Sequence, residues 1–179
     1  MLTVENALLV VIDIQGNLAQ AMHDKNFLFE NLKKLISGAQ LLNLPIIVTE
    51  QIPQKLGPTI PEIAALFSDF QPIPKASFSC WGEKLFMEKL RATPRKQILL
   101  TGIESHVCVY QTALELKSLG YDVYLVADCI SSRTAENKSI AIARMTSEGV
   151  KLTSTEMVLF ELMKIAEGDK FREMVKIVK

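Results

Sequence analysis

Histidine is scarce in this chain of 179 residues, which holds only His23 and His106. Histidine-based triads and zinc sites both need an imidazole in a defined place, and neither residue has a partner pattern around it. His106 reads as a wall or surface residue and His23 as solvent-facing. Cysteine is also sparse: Cys80, Cys108 and Cys129 make an odd number without a C-x-x-C spacing. That argues against a disulfide framework and against a zinc knuckle, and it predicts free thiols in a reducing cytoplasm. Charge of one sign is missing, since 20 Lys and Arg balance 20 Asp and Glu. Nothing in the total draws the chain to nucleic acid or to anionic lipid. The longest apolar run is Ala7 to Ile12, far short of the ~20 residues that a membrane helix needs. It has no basic stretch before it, so a secretory signal is not expected. The lone Gly16 after that run is no G-x-G-x-x-G, and a dinucleotide cofactor is not expected either.

What is present is a folding pattern. With 49% hydrophobic residues and a length that suits one domain, residues 1–179 read as a single unit with a sizeable core. Apolar β-branched runs alternate with segments of helical period, the signature of a parallel sheet covered by helices on both faces. Strands are expected at Ala7–Asp13, Ile46–Thr49, Gln71–Pro74, Gln97–Thr101, Asp122–Ala127 and Val150–Thr153. The two prolines of the third suit a sheet edge. Helices are expected at Asn26–Asn43 with Phe27 and Leu28 inward, and at Trp81–Leu90 with Leu85, Phe86 and Leu90 inward. Others are expected from Ser105 to Leu119, stopped by Gly120, and over Ala135–Ser147 and Thr155–Glu167. The tail Lys170–Lys179 reads as an amphipathic surface or subunit-contact helix, and Glu50 to Pro61 as a long rim loop or lid.

In an open parallel sheet, ligands bind outside the carboxyl ends of the strands. Asp13 follows strand one, Glu50 and Gln51 strand two, Lys75 strand three, Gly102–Cys108 strand four, and Asp128–Arg133 strand five. A carboxylate, a lysine and a thiol delivered to one rim form an acid/base and nucleophile set. Taken singly, each has a plainer reading: Asp13 as a helix cap, Lys75 as a solvated strand end, and any of the cysteines as core. Together they fit a division of labour in which Asp13 takes the Cys108 proton and Lys75 holds the resulting charge. Cys108 also falls in the first turn of a helix, where free N–H groups are expected to lower its pKa. Ser105 lacks the glycine of a nucleophile elbow and reads as a helix cap. Cys80 and Cys129 read as structural.

Val11-Ile12-Asp13-Ile14-Gln15, the Lys75–Phe78 stretch, and Thr101-Gly102-Ile103-Glu104-Ser105-His106-Val107-Cys108-Val109 with Gln111-Thr112-Ala113 resemble the isochorismatase-like cysteine hydrolases over nearly the whole chain. Thr49-Glu50-Gln51-Ile52-Pro53-Gln54, Leu56-Gly57-Pro58-Thr59 and Ser131-Ser132-Arg133 are more specifically similar to the isochorismatase domain-containing subgroup. The resemblance implies a Rossmann-like α/β/α sandwich around a six-stranded parallel sheet in the order 3-2-1-4-5-6. It implies Asp13, Lys75 and Cys108 as a triad, a cis peptide between Ile103 and Glu104 that aims N–H groups at an oxyanion, and a homo-oligomer. Zinc-binding nicotinamidases of the family carry Asp-x-His-Pro after strand two. Here the stretch is Glu50-Gln51-Ile52-Pro53, so no metal and no other cofactor are expected. The thiol points to hydrolysis of a small amide or related acyl substrate through a thioester. A family isochorismatase cleaving a vinyl ether and a silent binding or scaffold protein are the alternatives. Gln15, Gln51, Phe78 and Trp81 are candidates for the wall of the substrate pocket.

Overall fold

The computed structural model describes all residues, 1–179. Six strands, β1 (Ala7–Ile12), β2 (Ile46–Gln51), β3 (Ile73–Lys75), β4 (Gln97–Ile103), β5 (Asp122–Ser131) and β6 (Lys151–Thr153), form one sheet in the order β3-β2-β1-β4-β5-β6. Every pairing is parallel. The order reverses between β1 and β4, so the chain leaves these two neighbours on opposite sides of a crevice.

The continuous apolar run of β1 follows from burial on both faces. Ala7, Leu9 and Val11 point into a core shared with α2 (Lys25–Leu41), α8 (Thr155–Met163) and α9 (Gly168–Val178). Leu8, Val10 and Ile12 point into a second core built by α5 (Lys84–Arg91), α6 (Tyr110–Ser118) and α7 (Ala135–Ser147). This is the three-layer sandwich that the alternating pattern implies. Two stripe assignments fail: Phe27 and Leu85 are exposed, and Phe29 fills the core where Phe27 was expected. Both misplaced residues lie within the first turns of their helices, where the stripe's phase depends on the start.

The Glu50–Pro61 stretch is more ordered than a rim loop. β2 runs on to Gln51, and two short helices follow, α3 (Pro53–Leu56) and α4 (Pro61–Ala64), each with proline in its first turn. This proline placement suits a position whose N–H has no helical partner. A small helix after β1, α1 (Gly16–Gln20), touches α3. β5 continues four residues past its expected end because its register with β4 shifts between Leu100 and Gly102. The displaced Asp128 accepts hydrogen bonds from the backbone N and the hydroxyl of Thr155, at the start of α8. It is therefore occupied at a helix N-terminus rather than in the crevice. No helix is long and apolar enough to cross a membrane.

Candidate active site

Asp13 stands one residue beyond β1 in a left-handed conformation (φ 54°) that turns the chain away from the sheet. Its carboxylate is not a helix cap. Oδ2 lies 2.7 Å from Lys75 Nζ, and Oδ1 accepts a 2.7 Å hydrogen bond from the Thr49 hydroxyl. Both side chains of the ion pair are essentially inaccessible, at 0% and 1% exposure. A buried charge is tolerable only when paired and fully hydrogen-bonded. Lys75, the last residue of β3, meets that condition by also donating to Gln51 Oε1 at 2.6 Å and to the carbonyls of Ser77 and Phe78 at 3.1 and 3.0 Å.

The strand period explains why β2 contributes twice. Thr49 and Gln51 are two residues apart and share a face, and both reach the ion pair. Glu50, between them, points the other way and accepts from the backbone N and the hydroxyl of Thr59. Gln51 is the most connected of these residues. Its Oε1 accepts from Lys75 and, at 3.9 Å, from the Cys108 thiol, while its Nε2 donates to the Ala76 carbonyl at 2.7 Å. The Gln51 backbone is held in turn by Gln15, whose Oε1 accepts from Gln51 N at 2.6 Å and whose Nε2 donates to Gln51 O and Gly57 O.

Cys108 arrives from the far side of the crevice. β4 ends at Gly102–Ile103, the Ile103–Glu104 peptide is cis, and Ser105–Val109 form a single π-helical turn before α6. The turn does not lower the thiol pKa. Burial, reinforced by the negative charge of Asp13, pushes Cys108 up to about 12 against the opposing pull of Lys75. The sequence expectation of a thiolate is thus reversed: at neutral pH the sulfur carries its proton beside the Asp13 carboxylate. Ser105 is not a cap either, since its fully buried hydroxyl has no hydrogen-bond partner. Glu104 accepts from the backbone N and the Nε of Arg133, which ties the turn to the end of β5.

Asp13, Lys75 and Cys108 therefore meet in one buried network through Gln51. The other expected wall residues lie differently. Gln15 is fully buried behind Gln51. Phe78 turns its ring outward, 53% exposed, and offers the site its carbonyl. Trp81 packs its ring beneath the Arg91 guanidinium at 4.9 Å. His106 Nδ1 lies 2.9 Å from the Ser132 hydroxyl, and His23 is exposed. Two members of the network escaped sequence reading. Thr49 sits inside a strand, where a hydroxyl is common. Cys80, read only as structural, is fully buried with its Sγ 3.9 Å from Thr49 Oγ1, and burial pushes its pKa up to about 11. The signal for Thr49 was its i, i+2 relation to Gln51. No group of three or more His, Cys, Asp or Glu side chains is placed to hold a metal ion.

Comparison with known proteins identifies the fold and the family. The isochorismatase domain pattern matches residues 7–157. Isochorismatase domain-containing protein 2 of Xenopus laevis is 40% identical over 146 residues, covering 81% of this chain and 70% of the relative. A Caenorhabditis elegans structure described as MAR1 ribonuclease superposes with a TM-score of 0.92 at 31% identity, over 99% of this chain and 91% of that one. YcaC of Escherichia coli, described as an octameric hydrolase of unknown specificity, gives 0.92 at 26% identity over 98% and 89%. YcaC of Pseudomonas aeruginosa, solved with covalent acrylamide, gives 0.92 at 26% over 98% and 90%. With the family pattern spanning residues 7–157 and a relative 40% identical over 81% of it, this chain belongs to the isochorismatase family of hydrolase-fold proteins.

Proposed function

We propose that the chain is a cysteine hydrolase of small amides or related acyl compounds, with Asp13, Lys75 and Cys108 as its catalytic residues. The observation that carries this reading is the ion pair of Asp13 and Lys75, 2.7 Å apart and out of contact with water, joined through Gln51 to the buried Cys108 thiol. In that environment proton transfer and attack are coupled. Asp13 takes the thiol proton as Sγ bonds to the carbonyl carbon, and the new carboxylic acid gives it to the departing amine as the C–N bond breaks. A thioester remains. Asp13 then takes a proton from water, the resulting hydroxide adds to the thioester carbon, and the C–S bond breaks to return the thiol with its proton. Lys75, 2.7 Å from Asp13, offsets the negative charge that passes through the site. Backbone N–H groups of the turn from Ile103 and Glu104 to Cys108 serve the oxyanion, a contribution typically worth ~10² to 10³ in rate per donor. The covalent acrylamide of the Pseudomonas neighbour supports a nucleophile in this fold.

The test is a panel of small amides, acyl compounds and isochorismate, with an RNA substrate alongside, assayed for ammonia, acid or pyruvate release and for strand cleavage. Cys108→Ala is expected to abolish amide turnover and keep the wild-type melting curve, and intact-mass analysis of rapidly quenched wild type should show an acyl adduct. Turnover unchanged in Cys108→Ala, or RNA cleavage lost with the cysteine while every amide is inert, overturns the reading. No turnover and no adduct leaves the fold as a binding or scaffold protein.

We also propose a homo-oligomer. The Escherichia coli relative is described as octameric. In this chain the edge strand β6 and helix α8 leave Leu152, Met157 and Phe160 exposed. Light scattering across a dilution series should give a multiple of 20.0 kDa, and a monomer at micromolar concentration refutes it.

A further inference from the structure

We propose that Gln51 is a positioning residue that sets the reactivity of Cys108, its amide oxygen holding the Lys75 ammonium and the thiol together from one point. The inference rests on the reading of Cys108 as the nucleophile and adds a residue to which no catalytic or positioning part has been given. An ammonium has three protons. Lys75 donates to three acceptors, Gln51 Oε1, Ser77 O and Phe78 O, with Asp13 Oδ2 beside it as counter-ion, and none of these is the sulfur. Of these three oxygens, Gln51 Oε1 is the one that also accepts from the Cys108 thiol, at 3.9 Å. It is the shared point through which ammonium and thiol are tied.

The amide cannot be flipped end for end without loss. Its oxygen faces two donors and its nitrogen faces the Ala76 carbonyl, so exchange would set an NH₂ against an ammonium and an oxygen against an oxygen. Gln15 fixes the Gln51 backbone from behind with two hydrogen bonds and is itself fully buried. The position of Oε1 is therefore built by the fold, two side chains deep. The charged or titratable groups at this point are Asp13 from the end of β1, Lys75 from β3 and Cys80 from the turn before α5. Glu50 points away to Thr59.

Two near-isosteric substitutions act in opposite directions. Gln51→Met removes an oxygen that accepts from the thiol and so favours its protonated form, while Lys75 keeps the Ser77 and Phe78 carbonyls and its Asp13 counter-ion. Gln51→Glu sets a negative charge beside the sulfur, which disfavours its ionisation. The experiment measures the second-order rate of Cys108 alkylation by iodoacetamide at a fixed alkaline pH, located by peptide mass, with Cys80 labelling as an internal control of packing. Relative to wild type, Gln51→Met should react at least about threefold faster and Gln51→Glu about tenfold slower, with Cys80 protected in both. Equal Cys108 rates in all three proteins, including no labelling in any, overturn the proposal. So does a rate change accompanied by Cys80 labelling, because the cause is then loosened packing. If one variant does not fold, the other decides alone by the same criteria. Retained turnover in Cys108→Ala removes the hydrolase reading, whereas unchanged alkylation removes only the role of Gln51.

Discussion

Asp13 and Lys75 show how a pair of charges can sit in a protein interior without water. The attraction alone does not compensate for desolvation. The Thr49 hydroxyl on the acid, and the Gln51, Ser77 and Phe78 oxygens on the ammonium, supply what the attraction lacks. Breaking the pair from one side should therefore cost more than removing it. Lys75→Met strands a carboxylate with Thr49 as its remaining side-chain donor and is expected to lose about 3–5 kcal/mol of stability. Combining it with Asp13→Asn should recover part of that loss, as a non-additive cycle in urea unfolding. Losses that simply add would show that the two charges do not stabilise one another. At this scale the sequence was informative where a reactive side chain stood at a strand end or in the turn beyond it, as at Asp13, Lys75 and Cys108. It assigned no role to Thr49 and read Cys80 only as structural, because their parts depend on which neighbour a side chain meets, and it inverted the pKa of Cys108. Placement at a helix start can be read from sequence; burial of that start cannot.

Elements bring these residues to one place, and the closest fit is between β1 and β4. Gly102 pairs with Ile12 and adopts φ +118°. A Cβ there would come within 2.2 Å of Ile12 O and 2.6 Å of Ile12 N, atoms of the backbone just before Asp13. Two strands cannot separate to admit a methyl group without moving the carboxylate and the cysteine turn apart. Gly102→Ala is expected to cost about 3 kcal/mol or more, lowering the melting temperature by roughly 6–12 °C. Gly120→Ala, where φ is also positive but nothing lies within 4 Å, should cost only about 1 kcal/mol. Equal melting temperatures for the two variants would mean that contact with β1 is not what requires glycine at 102. The strands themselves, the edge position of β3 and the helix stop at Gly120 were legible because period and punctuation are local signals, whereas the order of the strands came from the family resemblance. The helices at Pro53 and Pro61 and the extension of β5 were not: the first two are too short to show a period, and the third arises from a register shift against β4.

Across the whole molecule, two cores on either side of the sheet leave all three cysteines buried, and this has a consequence for stability against pH. Burial pushes Cys80 up to about 11, Cys108 up to about 12 and Cys129 well above its ordinary value. An unfolded thiol ionises near ~8.5. Between that value and the folded ones, the unfolded chain has released protons that the folded chain still holds. Stability changes with pH in proportion to protons bound unfolded minus protons bound folded, which is negative here, so stability falls as pH rises. The contribution is fully present below about pH 8.5 and is lost progressively toward pH 11 to 12. Lys138, whose partial burial lowers its pKa, acts in the opposite sense, while Tyr124 and Lys151 are raised and add to the decline. The decisive measurement is therefore a difference. Urea unfolding of wild type and of Cys108→Ala, compared from about pH 8 to about pH 11, should show a steeper alkaline decline in wild type, because only wild type must ionise that thiol to unfold. Parallel curves would mean that the Cys108 sulfur is as wet in the folded protein as in the unfolded chain, and with that the dry environment on which coupled proton transfer to Asp13 depends would be gone.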